Sequence, residues 1–176
     1  MKKICIIFTL FLIIILSVFG VFSSKSVQTE YLRIHIRADS NEEQAQAVKY
    51  QVKDAVVEFL TPFVAECDTK RKAEEMIAAK LNDISAVAEK VLRQNGFSYG
   101  AKASVNTEKF PTRSYGDLTL QGGFYDALII ELGSGKGDNW WCVVYPPLCF
   151  TGGGKGYAYR SKILDIIRSF SERIRG

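Results

Sequence analysis

Apolar positions change their period several times along the chain, and each change marks a predicted element. Ile4 to Phe22 is an uncharged, mostly apolar run, and Ser23 to Glu30 is polar with no period. From Tyr31 to Arg37 the pattern alternates, with Leu32, Ile34 and Ile36 against Arg33, His35 and Arg37. That period of two predicts a half-buried strand whose exposed face is basic. Ser40 followed by Glu43 forms a capping box, which predicts a helix start. Ala45, Val48, Val52, Ala55, Val56 and Phe59 then recur at helical spacing until Pro62 ends the run. Asp68 or Thr69 caps a second, longer helix with Ala73, Ile77, Leu81, Ile84, Ala88 and Val91 inward, stopped by Asn95 and Gly96. The short link between the two helices predicts an antiparallel pair.

From Phe97 the period returns to two, and strand pieces follow, broken at Pro111 and at the Gly116–Asp117 turn pair. Phe124 to Leu132 is apolar on nearly both faces, which predicts a central strand. The glycine-rich loop from Gly133 to Asn139 then leads into a strand carrying Trp140, Trp141, Val143 and Val144. Two neighbouring strands joined by so short a loop predict a hairpin. After a flexible link over Thr151 to Gly156, Ile163, Ile166, Ile167, Phe170 and Ile174 form the apolar stripe of a closing helix, Tyr159 to Arg175. The predicted fold is α+β, with a mostly antiparallel sheet, an N-terminal helix pair and a C-terminal amphipathic helix packed on it.

Composition concentrates in one place. Gly137 to Phe150, GDNWWCVVYPPLCF, holds both tryptophans, two of the four cysteines and two of the four prolines. Pro146 and Pro147 remove two backbone donors, so the tryptophan strand ends or leaves its sheet there. A Pro-Pro turn, with or without a cis bond, could bring Cys142 and Cys149 within bridging distance; the alternative is that both are small buried hydrophobes. Cys67 is then left free or available to a second chain.

The first residues, Met1, Lys2 and Lys3 before the long apolar run, have the export pattern. Residues 1–22 are read as a signal peptide or an N-terminal membrane anchor, 23–30 as a polar tether, and 31–176 as a single extracytoplasmic domain. Lysines ahead of the apolar run place the body of the protein outside the cytoplasm, where disulfides persist. The leader's two lysines supply half of the formal net charge of +4. So balanced a remainder does not suit a nucleic-acid partner.

Signs of catalysis are scarce. With one histidine, and neither C-x-x-C nor H-E-x-x-H, no metal site is expected. The loops GSGKGDN and GGGKG lack the phosphate-loop pattern, so no cofactor and no small-molecule substrate are expected. Asp117, Asp126 and Asp138 show no paired-carboxylate arrangement. The sharpest catalytic option sets His35 as base to Cys142 or Cys149, with no spacing to support it. Trp140 and Trp141, adjacent on a strand, point to opposite faces, so one of them is expected to reach a partner. Pro146 and Pro147 belong to the same candidate partner-binding surface, and the face of Arg33 and His35 is a second candidate.

LRIHIRADSNEEQAQAVKYQVKDAV near the start and Asn139 to Phe150, N-W-W-C-V-x-x-P-P-L-C-F, together resemble the stage II sporulation protein R family of endospore-forming Firmicutes, over about Leu32 to Phe150. The chain departs from the family pattern at Asp39, where the run is usually Ala-Asn-Ser, and at Ile129, where arginine is frequent. The resemblance implies a protein made in the forespore and exported to the space between the forespore and mother-cell membranes. There it would activate a membrane-embedded aspartic protease that processes pro-sigma-E in the mother cell, as a signal and not as an enzyme. Partners would then be that protease and, through the N-terminal segment, the membrane. The competing readings are an extracytoplasmic cysteine-dependent hydrolase and a cell-wall-binding module.

Overall fold

The computed structural model describes residues 27–116, 118–151 and 156–175, with the side chains of 27–29 and 156–159 excepted. The leader 1–22, residues 23–26 of the tether, Asp117 of the turn pair and residues 152–155 of the glycine link lie outside the described residues.

At the centre of the molecule is β1 (Val27–Arg37), in a four-stranded sheet of order β2-β5-β1-β6. It runs parallel to β5 (Gly123–Leu132) and antiparallel to β6 (Asn139–Tyr145), while β2 (Ala101–Phe110) closes the other side antiparallel to β5. Two of the three pairings are antiparallel, so the α+β expectation holds with a mixed sheet. A separate antiparallel pair, β3 (Arg113–Tyr115) and β4 (Leu118–Leu120), folds back beside it.

One sheet face carries the main core. Leu32, Ile34 and Ile36 of β1, with Leu128 and Ile130 of β5, meet the helices α1 (Glu43–Val64), α2 (Lys70–Ala79) and α3 (Leu81–Gln94). α1 commits Val48, Val52, Val56, Leu60 and Val64 to this contact, each buried. At about 1.5–3 kcal/mol for each side chain removed from water, that stripe holds the helix to the sheet. The last helix, α4 (Gly156–Arg175), adds Ile163 and Phe170 to the same core.

The glycine loop does not make a hairpin, because β1 lies between β5 and β6. The loop crosses the end of β1 and is clasped by the loop that follows it. The Ser134 amide donates to Asp39 Oδ1 at 2.6 Å, the Gly137 amide to the Ala38 carbonyl at 2.8 Å, and the Asp138 amide to Asn41 Oδ1 at 2.6 Å. Gly137 is required by this clasp: a Cβ there would collide with the Ser40 carbonyl and lie 2.9 Å from the Ala38 Cβ.

Other boundaries shift for local reasons. β1 begins at Val27, so the last four residues of the expected tether belong to the sheet. The capping box is not closed: Ser40 Oγ accepts from the Glu42 amide at 3.3 Å, and Glu42 stands at the N-cap with no side-chain bond. Pro62 sits inside α1, which runs two residues further, to Val64. The expected long second helix is two, parted at Lys80, whose amide bonds three residues back to the Ile77 carbonyl. Thr69 caps the first of them by accepting from the Lys72 amide at 3.2 Å, and Gly96 at φ +81° ends the second in the left-handed region.

Candidate partner-binding site

The second sheet face overturns the expectation of an exposed basic strand. Arg33 and His35 are fully buried. Phe110, Tyr125, Ala127 and Ile129 form a small second core there, with Tyr31 and Trp141 packed against it. The Arg33 guanidinium lies 4.5 Å from the centroid of Phe110, 4.9 Å from that of Tyr125 and 5.6 Å from that of Tyr115. Its Nε donates to the Cys142 carbonyl at 3.1 Å and its Nη2 to the Tyr115 hydroxyl at 2.8 Å. Arg33 therefore ties β1 to β6 and to the β3–β4 pair through aromatic faces, with no carboxylate partner among the described residues. Burial lowers its pKa from the ordinary arginine value, and interaction with Tyr115 and Tyr125 partly offsets this.

His35 stands between Phe110 and Trp141, at centroid distances of 5.3 and 4.7 Å. Its Nε2 is 3.1 Å from Glu108 Oε2 without hydrogen-bond geometry, and Nδ1 has no partner either. Glu108 is taken instead by Arg37 Nη2 at 2.6 Å, and Arg37 Nη1 holds Glu131 at 2.7 Å. Burial first, then the Arg37 and Arg33 charges, push His35 down from 6.5 to about 3. The unfolded chain therefore binds a proton that the fold refuses between those values. This contribution is complete above pH 6.5 and is lost as pH falls toward 3, with a slope approaching ~1.4 kcal/mol per pH unit. Denaturant unfolding at pH 6.5, 6.0, 5.5 and 5.0 should show that fall in the wild type and a flatter profile in His35→Phe. A wild-type stability that holds constant or rises on acidification would contradict the assignment.

Cys142 and Cys149 are joined by a disulfide with Cα atoms 6.4 Å apart, so neither is a free thiol beside His35. The described cysteine left free is Cys67, which is buried, with its thiol pKa raised first by burial and then by Asp68. Among the described residues no group of three or more His, Cys, Asp or Glu could hold a metal ion.

The expected partner residues are not gathered: Trp140 and Trp141 lie in β6, Arg33 and His35 are buried in β1, and Pro146 and Pro147, just past β6, are buried as well. Trp140 and Trp141 are both half-buried at the first end of β6, on opposite faces. Trp140 packs on the main core with Lys53 Nζ 6.0 Å from its centroid, and Trp141 meets Phe110 edge-on at 4.8 Å. At the other end the Tyr145–Pro146 peptide is cis, and the chain turns through Pro147 into a single 3-10 turn, Leu148–Phe150. The disulfide braces that turn against β6. Beside it lies a groove walled by Leu118, Pro146, Leu148, Ile167, Phe170 and Ile174, with Tyr115 and Arg175 also lining it.

Of the expected residues only Pro146 lines this groove. Ile167, Phe170 and Ile174 were visible as the apolar stripe of the last helix, but Ile174 is 46% exposed where the stripe predicted an inward side chain. Leu118 and Tyr115 gave no local signal, because a three-residue strand reaches the groove only through tertiary packing.

Fold and surface together define a small α+β domain on a mixed sheet, with a disulfide-braced turn that walls a groove of mixed apolar and polar lining. The model of the stage II sporulation protein R family matches residues 28–154, and the chain belongs to that family. It is 33% identical over 136 residues to stage II sporulation protein R of Bacillus subtilis (strain 168), which covers 77% of this chain and 61% of the relative. The chain thus spans about three fifths of that relative's length. No solved structure matches the chain. Membership gives the protein a role in sporulation.

Proposed function

We propose that this protein is an exported sporulation signal. It binds the extracytoplasmic side of a membrane-embedded aspartic protease in the mother cell and raises the activity that processes pro-sigma-E. Family membership supports the pathway, and the groove beside the braced turn, where Leu148, Ile167 and Ile174 stand next to the polar Ser171 and Arg175, is the observation that supports binding as the means. Partly exposed apolar side chains such as Leu148 and Ile174, seated on a wall held by a disulfide, lose little conformational entropy when a partner covers them. Such a ligand activates only as far as it prefers the active state of its receptor.

The location of the groove agrees with a membrane partner. Tyr31, near the start of β1, packs on Phe170 in the groove wall at a centroid distance of 5.3 Å. If the apolar run ending at Phe22 stays in the bilayer, residues 23–26 span at most ~14 Å, which keeps this end of the domain close to the membrane surface. Among the described residues no helix is long and apolar enough to cross a membrane. The disulfide is suited to a compartment outside the cytoplasm.

Purified protease and precursor in vesicles, with and without this protein on the side opposite the precursor, test the reading. Precursor cleavage should depend on its addition, and cleavage of equal rate without it would refute the proposal.

A further inference from the structure

The two edges of the sheet are treated differently. Along β6 the 3-10 turn covers the outer side, where the Val143 amide reaches the Cys149 sulfur at 3.2 Å. β2 has no such cover. The Gly133 amide donates to the Gly100 carbonyl at 2.9 Å, so the even-numbered positions of this strand bond toward β5. Odd-numbered residues therefore turn their amides and carbonyls outward. One of these, the Ala103 amide, is taken by Ser85 Oγ of α3 at 2.9 Å. Beyond the strand, Pro111 has no amide to give. Between these two stops lie Val105, Thr107 and Lys109, whose outward backbone groups meet no partner among the described residues.

We propose that this edge pairs with the same edge of a second copy of the chain, antiparallel, across a two-fold axis at Thr107. The two four-stranded sheets would become one of eight strands. The open stretch is symmetric about Thr107 and bounded on both sides. In this register each outward donor and acceptor of Val105, Thr107 and Lys109 therefore faces one that is also free. Thr107 opposes Thr107, and Val105 opposes Lys109 of the second copy.

Charge selects this occupant over an arbitrary extended peptide. Residues opposed across an antiparallel pair share a face, so the second copy's Lys109 arrives beside Val105. Glu74, Glu75, Ala78 and Asp126 line a shallow depression with that valine. Lys70 pairs with Glu74 and Asp126, and Arg71 with Glu75, so three carboxylates face two cations and keep an excess of negative charge. Lys109 is exposed and makes no ion pair within its own chain among the described residues. The contact occurs twice by symmetry. On the other sheet face Asn106 opposes Glu108, so no like charges meet. Confinement to a membrane surface would favour so small an interface by raising effective concentration.

Sedimentation equilibrium of the full chain in detergent, over a concentration series, tests the proposal. The wild type should show a monomer–dimer equilibrium. Thr107→Pro removes the central outward donor and leaves the backbone bonds to β5, but it also loses the bond from Thr107 Oγ1 to Asp126 Oδ1. Thr107→Val, which loses only that side-chain bond, is its control. Relative to valine, proline should weaken dimerisation by about ten-fold or more. Lys109→Glu and Glu75→Lys should each weaken it alone. An equimolar mixture of the two should recover it. In the mixed dimer the carboxylate introduced at position 109 of one copy meets the ammonium introduced at position 75 of the other, and the remaining contact is native. If Thr107→Pro does not fold, the charge-swap pair decides. A wild type that stays monomeric, an association indifferent to Thr107→Pro, or a mixture no tighter than its parts would overturn the proposal, as would tighter capture of an unrelated extended peptide. None of these outcomes would touch the reading of the protein as a protease activator, which vesicle processing tests separately.

Discussion

Arg33→Ala should destabilise the fold by about 3–5 kcal/mol, the range of a large buried side chain removed together with its polar anchors. The guanidinium fills the space between Phe110, Tyr125 and Tyr115, and it satisfies the Cys142 carbonyl and the Tyr115 hydroxyl. Alanine leaves a cavity bounded by three rings and two polar atoms without their donor. Arg33→Met keeps the apolar stem and removes the buried charge, so it should recover more than half of the loss. Lysine has the charge without the planar fork and should resemble alanine more than methionine. Urea midpoints at constant slope measure the series. An alanine variant within ~0.5 kcal/mol of wild type would mean that the aromatic cage does not hold the second face together.

The second large effect is functional. Ile174→Glu or Leu148→Glu should reduce stimulation of precursor cleavage by about ten-fold or more, the scale on which burying an anchor side chain at an interface decides affinity. Ile174 is 46% exposed and Leu148 half-buried, so a carboxylate at either site leaves the core intact. Unfolding midpoints near wild type, combined with lost stimulation, separate binding from folding. Stimulation retained in both variants would move the contact off the groove.

How legible these features were depends on the distance between the residues that make them. α1 was readable because Ala45, Val48, Val52 and Val56 repeat at helical spacing and are all buried. The closing of β6 at Pro146 was readable because proline lacks a donor wherever it stands. β1 was misread on its polar side for the opposite reason. Arg33 and His35 alternate with Leu32, Ile34 and Ile36 as solvated residues would, and what buries them is Phe110, Tyr125 and Trp141, many positions further along.

The hairpin failed on topology. A short glycine loop between two apolar strands suits a hairpin and equally suits a step over one intervening strand. Only the clasp between Ala38–Asn41 and Ser134–Asp138 decides for the second. At Lys80 the sequence holds neither glycine nor proline, and nothing in its pattern announced the break between α2 and α3. The groove was the least legible feature, since residues from Leu118 to Ile174 build it and only the last helix carried a periodic signal.

Site-specific photo-crosslinking tests the central claim most directly. A photoreactive residue at Ile174, beside the braced turn, should form a covalent adduct with the protease in vesicles that support precursor cleavage. The same residue at Tyr50, 51% exposed on α1 toward the Trp140 end, should form none. An adduct at Tyr50 with none at Ile174 would contradict the account.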